Sequence, residues 1–186
     1  MYRANPDPWN YQSSPYEAQK YAATLNALTR ASYNTIIEPG CSIGVLSIQL
    51  AKRCNKLVAM DFSPLAIAQA QERLKPFAGA TATVAKLPQD WPEGHYDLFV
   101  LSELIYYLAA PDIIALAHLV ARDAALGAEC VIVHYQGDAQ TAISPNDARD
   151  LFCTTLGGLR SFRVTDHPSP ADYNHCTLGF THDTKA

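Results

Sequence analysis

Thr35-Ile36-Ile37-Glu38-Pro39-Gly40-Cys41-Ser42-Ile43-Gly44 decides how the rest of the chain is read. Its opening is short, apolar and β-branched, which predicts a buried strand over Thr35 to Glu38. Gly40 and Gly44 predict a turn that opens a helix. Downstream, Leu57-Val58-Ala59-Met60-Asp61 reads as a second strand ending on an acid. Strand, glycine turn, helix and a second strand with a terminal carboxylate form the nucleoside-binding half of a Rossmann-type sheet.

The turn itself narrows the nucleoside. A dinucleotide turn needs glycine at its second position, so that backbone can approach the pyrophosphate. Ser42 stands there and Val45 takes the third place, so the G-x-G-x-x-G pattern is broken. No G-K-[ST] occurs, and hence no phosphate-cradling loop. Such a turn suits a ligand with a ribose but no phosphate, and S-adenosylmethionine is the common cofactor of that description. With its acid, spacer and glycine pair at Glu38, Gly40 and Gly44, the chain resembles the class I S-adenosylmethionine-dependent methyltransferases. Gly40-Cys41-Ser42-Ile43-Gly44 is also a literal G-x-S-x-G, the nucleophile elbow of serine hydrolases. That fold places several strands before its nucleophile, and only about one fits before Ser42.

Composition sets outer bounds. A length of 186 residues suits a single domain, and 48% hydrophobic content is ample for one large core. The net charge of −4 argues against a nucleic-acid partner, which would want a basic face. No apolar run approaches membrane-spanning length, and the first residues show no signal-peptide pattern. Cys41, Cys54, Cys130, Cys153 and Cys176 are odd in number and scattered, with no C-x-x-C pair, so no metal site is expected. Together these point to a cytoplasmic protein whose partner is a small molecule; they leave the oligomeric state open.

Outward from the first turn, strands and helices alternate. Before it, Ser14-Pro15 with Glu17 spells a capping box for a helix carrying Tyr21, Leu25 and Leu28 on one face. After the second strand, Ser63-Pro64 caps a helix through Leu74. Thr81 to Leu87 reads as strand three, Tyr96 to Leu101 as strand four and Cys130 to Tyr135 as strand five. Pro111-Asp112 opens the helix between the last two, which Gly127 is expected to end. A further helix runs from Ser144 to Gly157-Gly158, with β-like segments near 161–165 and 176–181. The expectation is a Rossmann-like α/β sandwich, with a mostly parallel central sheet and a C-terminal antiparallel strand. Residues 1–30 form a cap or lid on a single domain spanning 1–186.

In such a sheet ligands sit beyond the carboxyl ends of the strands. That rule selects Glu38 to Gly44, Asp61 with Phe62, Leu87 to Trp91, Ser102-Glu103 and His134-Tyr135. Asp61 can accept both ribose hydroxyls, or it can serve as the acid in the first turn of the Ser63 helix. The Asp7-Pro8-Trp9, Tyr16-Glu17, Lys20-Tyr21, Glu38-to-Gly44 and Leu101-Ser102-Glu103-with-Tyr106-Tyr107-Leu108 segments together resemble the NodS branch of small methyltransferases. The likeness runs from Asp7 to about Tyr135. It implies cofactor contacts from Tyr16, Lys20, Glu38, Gly40, Cys41, Ser42, Gly44, Asp61, Phe62, Leu87, Trp91 and Ser102. It also implies methyl transfer to a small molecule, most simply an amine nitrogen, with O-methylation or a silent cofactor-binding module as alternatives. The family usually places an acid after strand three for the adenine amino group; here Lys86-Leu87-Pro88 occupies that neighbourhood. Asp90 or backbone at Leu87 would have to serve, and Trp91 either covers the adenine or locks the loop as a core ring. Glu103, His134, Tyr106 and Tyr107 are the candidates at the reaction centre: Glu103 to orient the acceptor, His134 as base and the tyrosines as walls.

Overall fold

The computed structural model describes residues 7–137, 139–167, 169 and 172–181. Seven strands form one sheet: β1 (Tyr33–Pro39), β2 (Cys54–Asp61), β3 (Ala80–Val84), β4 (Tyr96–Ser102), β5 (Ala124–Tyr135), β6 (Phe162–His167) and β7 (Tyr173–Phe180). Their order across the sheet is β3-β2-β1-β4-β5-β7-β6, with β1 to β5 parallel and β7 antiparallel to both its neighbours. The helices are α1 (Pro15–Ala27), α2 (Val45–Ala51), α3 (Pro64–Leu74), α4 (Ala110–Asp123) and α5 (Pro145–Leu159), with a 3-10 turn over Ile105–Tyr107.

Side chains on a strand alternate faces, so a strand covered on both sides is apolar at every position. The central strands follow this rule. Ile36, Leu98, Val100, Val131 and Val133 pack on the α2–α3 face, whereas Ile37, Phe99, Leu101, Cys130 and Ile132 pack on the α4–α5 face. This is why the runs at 35–37, 98–101 and 130–133 carry no polar alternation.

The predicted starts of α1, α3 and α5 hold. The hydroxyls of Ser14, Ser63 and Ser144 each accept the backbone N–H three residues on. Other boundaries differ. α4 ends at Asp123, not Gly127, and β5 begins at once. Gly127 has φ +68° and lies where β5 carries extra residues against β4: Tyr96 pairs with Ala124 but Leu98 with Glu129. Its left-handed backbone serves a bulge rather than a helix stop. Gly157 and Gly158 fall inside α5. The α1 face is also not the apolar one expected. Its buried residues are Glu17, Lys20, Thr24 and Ala27, while Tyr21 and Leu25 are only partly buried.

Candidate active site

β1 leads towards β2 on one side, and β4 towards β5 on the other, so a crevice opens above their carboxyl ends. A cleft of about 1580 Å³ fills it. Sites for one small molecule span roughly 300–1,000 Å³, so this one has room for two ligands side by side. Neighbouring strands lie about 4.8 Å apart, which makes the mouth about 14 Å wide from β2 to β5.

The β1–α2 turn forms the floor. Gly40, Ser42 and Gly44 all take left-handed backbone, with φ of 77°, 50° and 81°. The Gly40 and Cys41 N–H groups both donate to the Met60 carbonyl, at 2.7 and 2.9 Å, clamping the turn to the end of β2. At Gly44 a Cβ would lie 2.9 Å from the Ala70 Cα, because α3 packs directly on the turn. The requirement for glycine there comes from helix packing, and Gly44 does not line the cleft. Gly40 does line it; a Cβ there would sit 3.0 Å from Leu104 Cδ1.

Asp61 ends β2 at the cleft wall, and its side chain is fixed by the turn. Oδ2 accepts the Ser42 N–H at 3.0 Å and Oδ1 the Ser63 N–H at 2.9 Å. A carboxylate offers about four acceptor positions, so each oxygen keeps capacity for a ligand. Burial raises the Asp61 pKa and the two N–H groups pull it back. Glu38, by contrast, is buried behind the turn, where Ser47 of α2 donates to it at 2.5 Å. Burial pushes its pKa to about 8, against the Ser47 hydrogen bond and with a small push from Asp61. It braces β1 against α2.

Beyond β4, Glu103 has φ 52°, and its N–H donates to the Val133 carbonyl at 2.8 Å. The left-handed backbone breaks the strand's alternation, and Glu103 joins Tyr106, Tyr107 and Leu108 in the wall. The Tyr106 hydroxyl donates to Glu103 Oε2. Glu103 Oε1 is buried without a hydrogen-bond partner, 3.8 Å from Lys20 Nζ. Lys20 instead bonds Glu17 at 3.0 Å, with both side chains buried. Burial raises the Glu103 pKa; Lys20 and Tyr106 oppose that rise.

The polar face of α1 is thereby explained. Glu17 and Lys20 meet the cleft, and Thr24 meets β7. The Thr24 hydroxyl donates to the Lys20 carbonyl at 2.8 Å and lies 2.9 Å from His175 Nε2. Burial lowers the His175 pKa to about 4, and its Nε2 shares a hydrogen bond with the Thr24 hydroxyl. α1 is thus pinned to the sheet, and Trp9, Tyr11 and Tyr16 reach the cleft from its N-terminal side.

Of the sequence candidates, Tyr16, Lys20, Gly40, Ser42, Asp61, Phe62, Leu87, Glu103, Tyr106 and Tyr107 converge on the cleft. Six others do not line it: Glu38 behind the turn, Gly44 against α3, and four more. His134 is fully buried and shares the α4–α5 face with Cys130 and Ile132, as the two-residue period requires. Its Nε2 faces Asn146 of α5 at 3.1 Å, and burial lowers its pKa. The neighbouring Tyr135 lines the cleft instead. Trp91 is a core ring stacked on Phe99, with its indole N–H donated to Asp123 at 2.8 Å. Cys41 is buried beneath the turn, and Ser102 is half-buried in β4. In the neighbourhood of the missing acid, Ala85, Lys86 and Leu87 line the cleft, while Asp90 accepts the Lys86 N–H at 2.8 Å. Sequence reasoning also missed Met60, Leu65, Leu104 and Asp112 as lining residues. Leu104 falls between the quoted Glu103 and Tyr106, and its direction depends on the left-handed Glu103 before it.

The cleft suits S-adenosylmethionine by its donor set: bare backbone at Gly40, a carboxylate with free capacity at Asp61, and apolar Met60, Phe62 and Leu87 beside it. Fold and cleft are those of the class I S-adenosylmethionine-dependent methyltransferases. The family model described as Nodulation protein S (NodS) matches residues 3–126, and the chain belongs to that family. Nodulation protein S of Sinorhizobium fredii is 30% identical over 103 residues, covering 55% of this chain and 48% of that protein. The chain spans about half the length of the curated relatives it matches. A structure from Pseudomonas syringae, provisionally assigned as a methyltransferase, is 33% identical with a TM-score of 0.72, covering 88% of this chain and 98% of that one. The N-methyltransferase NodS of Bradyrhizobium japonicum WM9, in complex with S-adenosyl-L-homocysteine, shares the fold at 21% identity and a TM-score of 0.78, over 95% of this chain and 93% of that one.

Among the described residues, no helix is long and apolar enough to cross a membrane, and no cluster of histidine, cysteine and acidic groups could hold a metal.

Proposed function

We propose that the chain binds S-adenosylmethionine between the β1–α2 turn and Asp61, and transfers its methyl group to the nitrogen of a small-molecule amine. The observation that carries this reading is the Asp61 carboxylate, held by the Ser42 and Ser63 N–H groups at the wall of a cleft with room for two ligands. Gly40 lets backbone approach the methionine part. Asp61 holds the ribose, with Phe62 and Leu87 flanking the adenine.

When bound, S-adenosylmethionine supplies a methyl carbon on a sulfonium, already fitted with its leaving group. The residues of the chain therefore mainly align and shield. The nitrogen lone pair forms the new N–C bond as the C–S pair returns to sulfur, so an ammonium must first lose a proton. Glu103 orients the amine from the β4 end, and the proton passes to water in the open cleft. Tyr106 holds Glu103, and Tyr107 walls the site. Trp9, Tyr11 and Tyr16 narrow the mouth on the α1 side and leave a water path to it. The test is methyl transfer from labelled S-adenosylmethionine to a panel of amines and matched alcohols. Incorporation into amines only is expected; incorporation into alcohols only would reassign the acceptor atom.

A further inference from the structure

The β4–β5 side of the cleft differs in chemistry from the Asp61 side. Glu103 Oε1 is a buried carboxylate oxygen that lacks a donor. The Glu103 side chain as a whole is 22% exposed and lines the cleft, so its under-bonded carboxylate favours a cation placed there. Lys20 does not neutralise it by a direct bond, since its hydrogen bond goes to Glu17 at 3.0 Å while Glu103 stands at 3.8 Å. Four tyrosines line the same cleft, Tyr16, Tyr106, Tyr107 and Tyr135, and Tyr106 bonds the Glu103 carboxylate directly. The Tyr16 ring already holds a cation, with Lys20 Nζ 5.3 Å from its centroid. Tyr106 and Tyr107 lie with centroids 4.6 Å apart, and Tyr107 is 63% exposed at the mouth. Tyrosine faces and a carboxylate are the two groups that attract an organic ammonium. Leu104 and Leu108 complete the wall and offer no side-chain hydrogen bonds to a hydroxyl-rich body.

We infer that, granted the transfer reading above, the acceptor is a cationic amine on an aromatic or aliphatic body, an arylalkylamine in the simplest case, whose ammonium docks on the Glu103 carboxylate among the tyrosine faces. An amino sugar has the same charge but would set hydroxyls against Leu104 and Leu108, with only tyrosine hydroxyls and the more distant acids of the cleft to meet the rest. The donor's own α-ammonium is a second source of the same chemistry, and the experiment separates the two.

Isothermal titration of the full chain with phenethylamine, 2-phenylethanol and glucosamine, each with and without saturating S-adenosylhomocysteine, reads binding without turnover. Phenethylamine is expected to bind at least about tenfold more tightly than either comparator, the fold-change of one charge-assisted contact. Glu103→Gln should weaken phenethylamine by about tenfold and leave S-adenosylhomocysteine within about twofold. Equal binding of amine and alcohol, or tighter binding of glucosamine, overturns the inference. So does a Glu103→Gln variant that loses S-adenosylhomocysteine instead, because the ammonium subsite then belongs to the donor. Should that variant not fold, Tyr107→Ala at the exposed ring must weaken phenethylamine selectively, and an unchanged affinity overturns the inference. Failure of S-adenosylhomocysteine to bind the wild type defeats the donor reading on its own; the titrations without it still decide the amine subsite.

Discussion

Replacing Asp61 separates the two jobs the structure gives it. Its oxygens hold the Ser42 and Ser63 N–H groups at 3.0 and 2.9 Å and, on the proposed reading, two ribose hydroxyls. A hydrogen bond to a charged group contributes about 1.5–3 kcal/mol, so Asp61→Ala removes about 3–6 kcal/mol of binding. Each 1.4 kcal/mol is about tenfold in Kd, which places the loss between about a hundredfold and about ten-thousandfold. The lower end is expected, because both hydroxyls share one charge and their contributions do not add fully. Asp61→Ala also strips two N–H groups of their acceptor, so the turn loosens and the melting temperature falls. Asp61→Asn keeps shape and one acceptor oxygen, and should bind with intermediate affinity. The assay is calorimetric titration of S-adenosylmethionine and S-adenosylhomocysteine into each variant, with thermal melts of the free proteins. Both ligands carry the ribose, so both must weaken by the same factor. Loss confined to the methyl donor, or unchanged affinity in a folded Asp61→Ala protein, refutes the reasoning.

Other consequences follow from the same geometry. Gly44→Ala sets a Cβ 2.9 Å from the Ala70 Cα at φ 81°; a loss of about 2 kcal/mol would lower Tm by roughly 4–8 °C in a chain of this size, and an unshifted melt would deny the α3 contact. Glu38 is raised from 4.5 to about 8, so the stability held by its neutral form is full below 4.5 and lost as pH rises through about 8. Stability measured across that window should fall with pH in the wild type and flatten in Glu38→Gln. His134→Ala is expected to cost about 1–3 kcal/mol of stability while kcat/KM changes no more than a few-fold; a collapse of kcat in a folded variant would return His134 to the reaction centre. Removing residues before Ser14 deletes Trp9 and Tyr11 from the cleft wall but spares the α1 cap; the shortened chain should fold and lose most of its transfer rate, whereas full activity would deny the lid.

The alternation of strands and helices was legible because the central strands are covered on both faces. Runs such as Tyr96 to Leu101 cannot be mistaken for a half-exposed strand. The glycine turn and Asp61 were legible for a similar reason: left-handed backbone and strand-end acids leave marks at fixed spacing. What escaped depends on side-chain direction. His134 and Tyr135 are adjacent, yet only Tyr135 lines the cleft; the face shared with Ile132 was the available signal. The destination of Trp91 hung on Asp123, 32 residues away and buried, a partner that spacing does not reveal. Gly127 was misplaced because a helix stop and a bulge ask the same backbone of glycine. The polar buried face of α1 broke the expectation of an apolar stripe, since its partners, Glu103 and His175, come from β4 and β7.

The central claim is that S-adenosylmethionine sits between the β1–α2 turn and Asp61. A crystal structure of the full chain grown with S-adenosylhomocysteine tests it most directly. The account predicts one molecule per chain, with both ribose hydroxyls within hydrogen-bonding distance of the Asp61 carboxylate, the homocysteine part over Gly40, and the sulfur facing Glu103. A ribose bound away from Asp61, or no binding at saturating concentration in a folded protein, would contradict it.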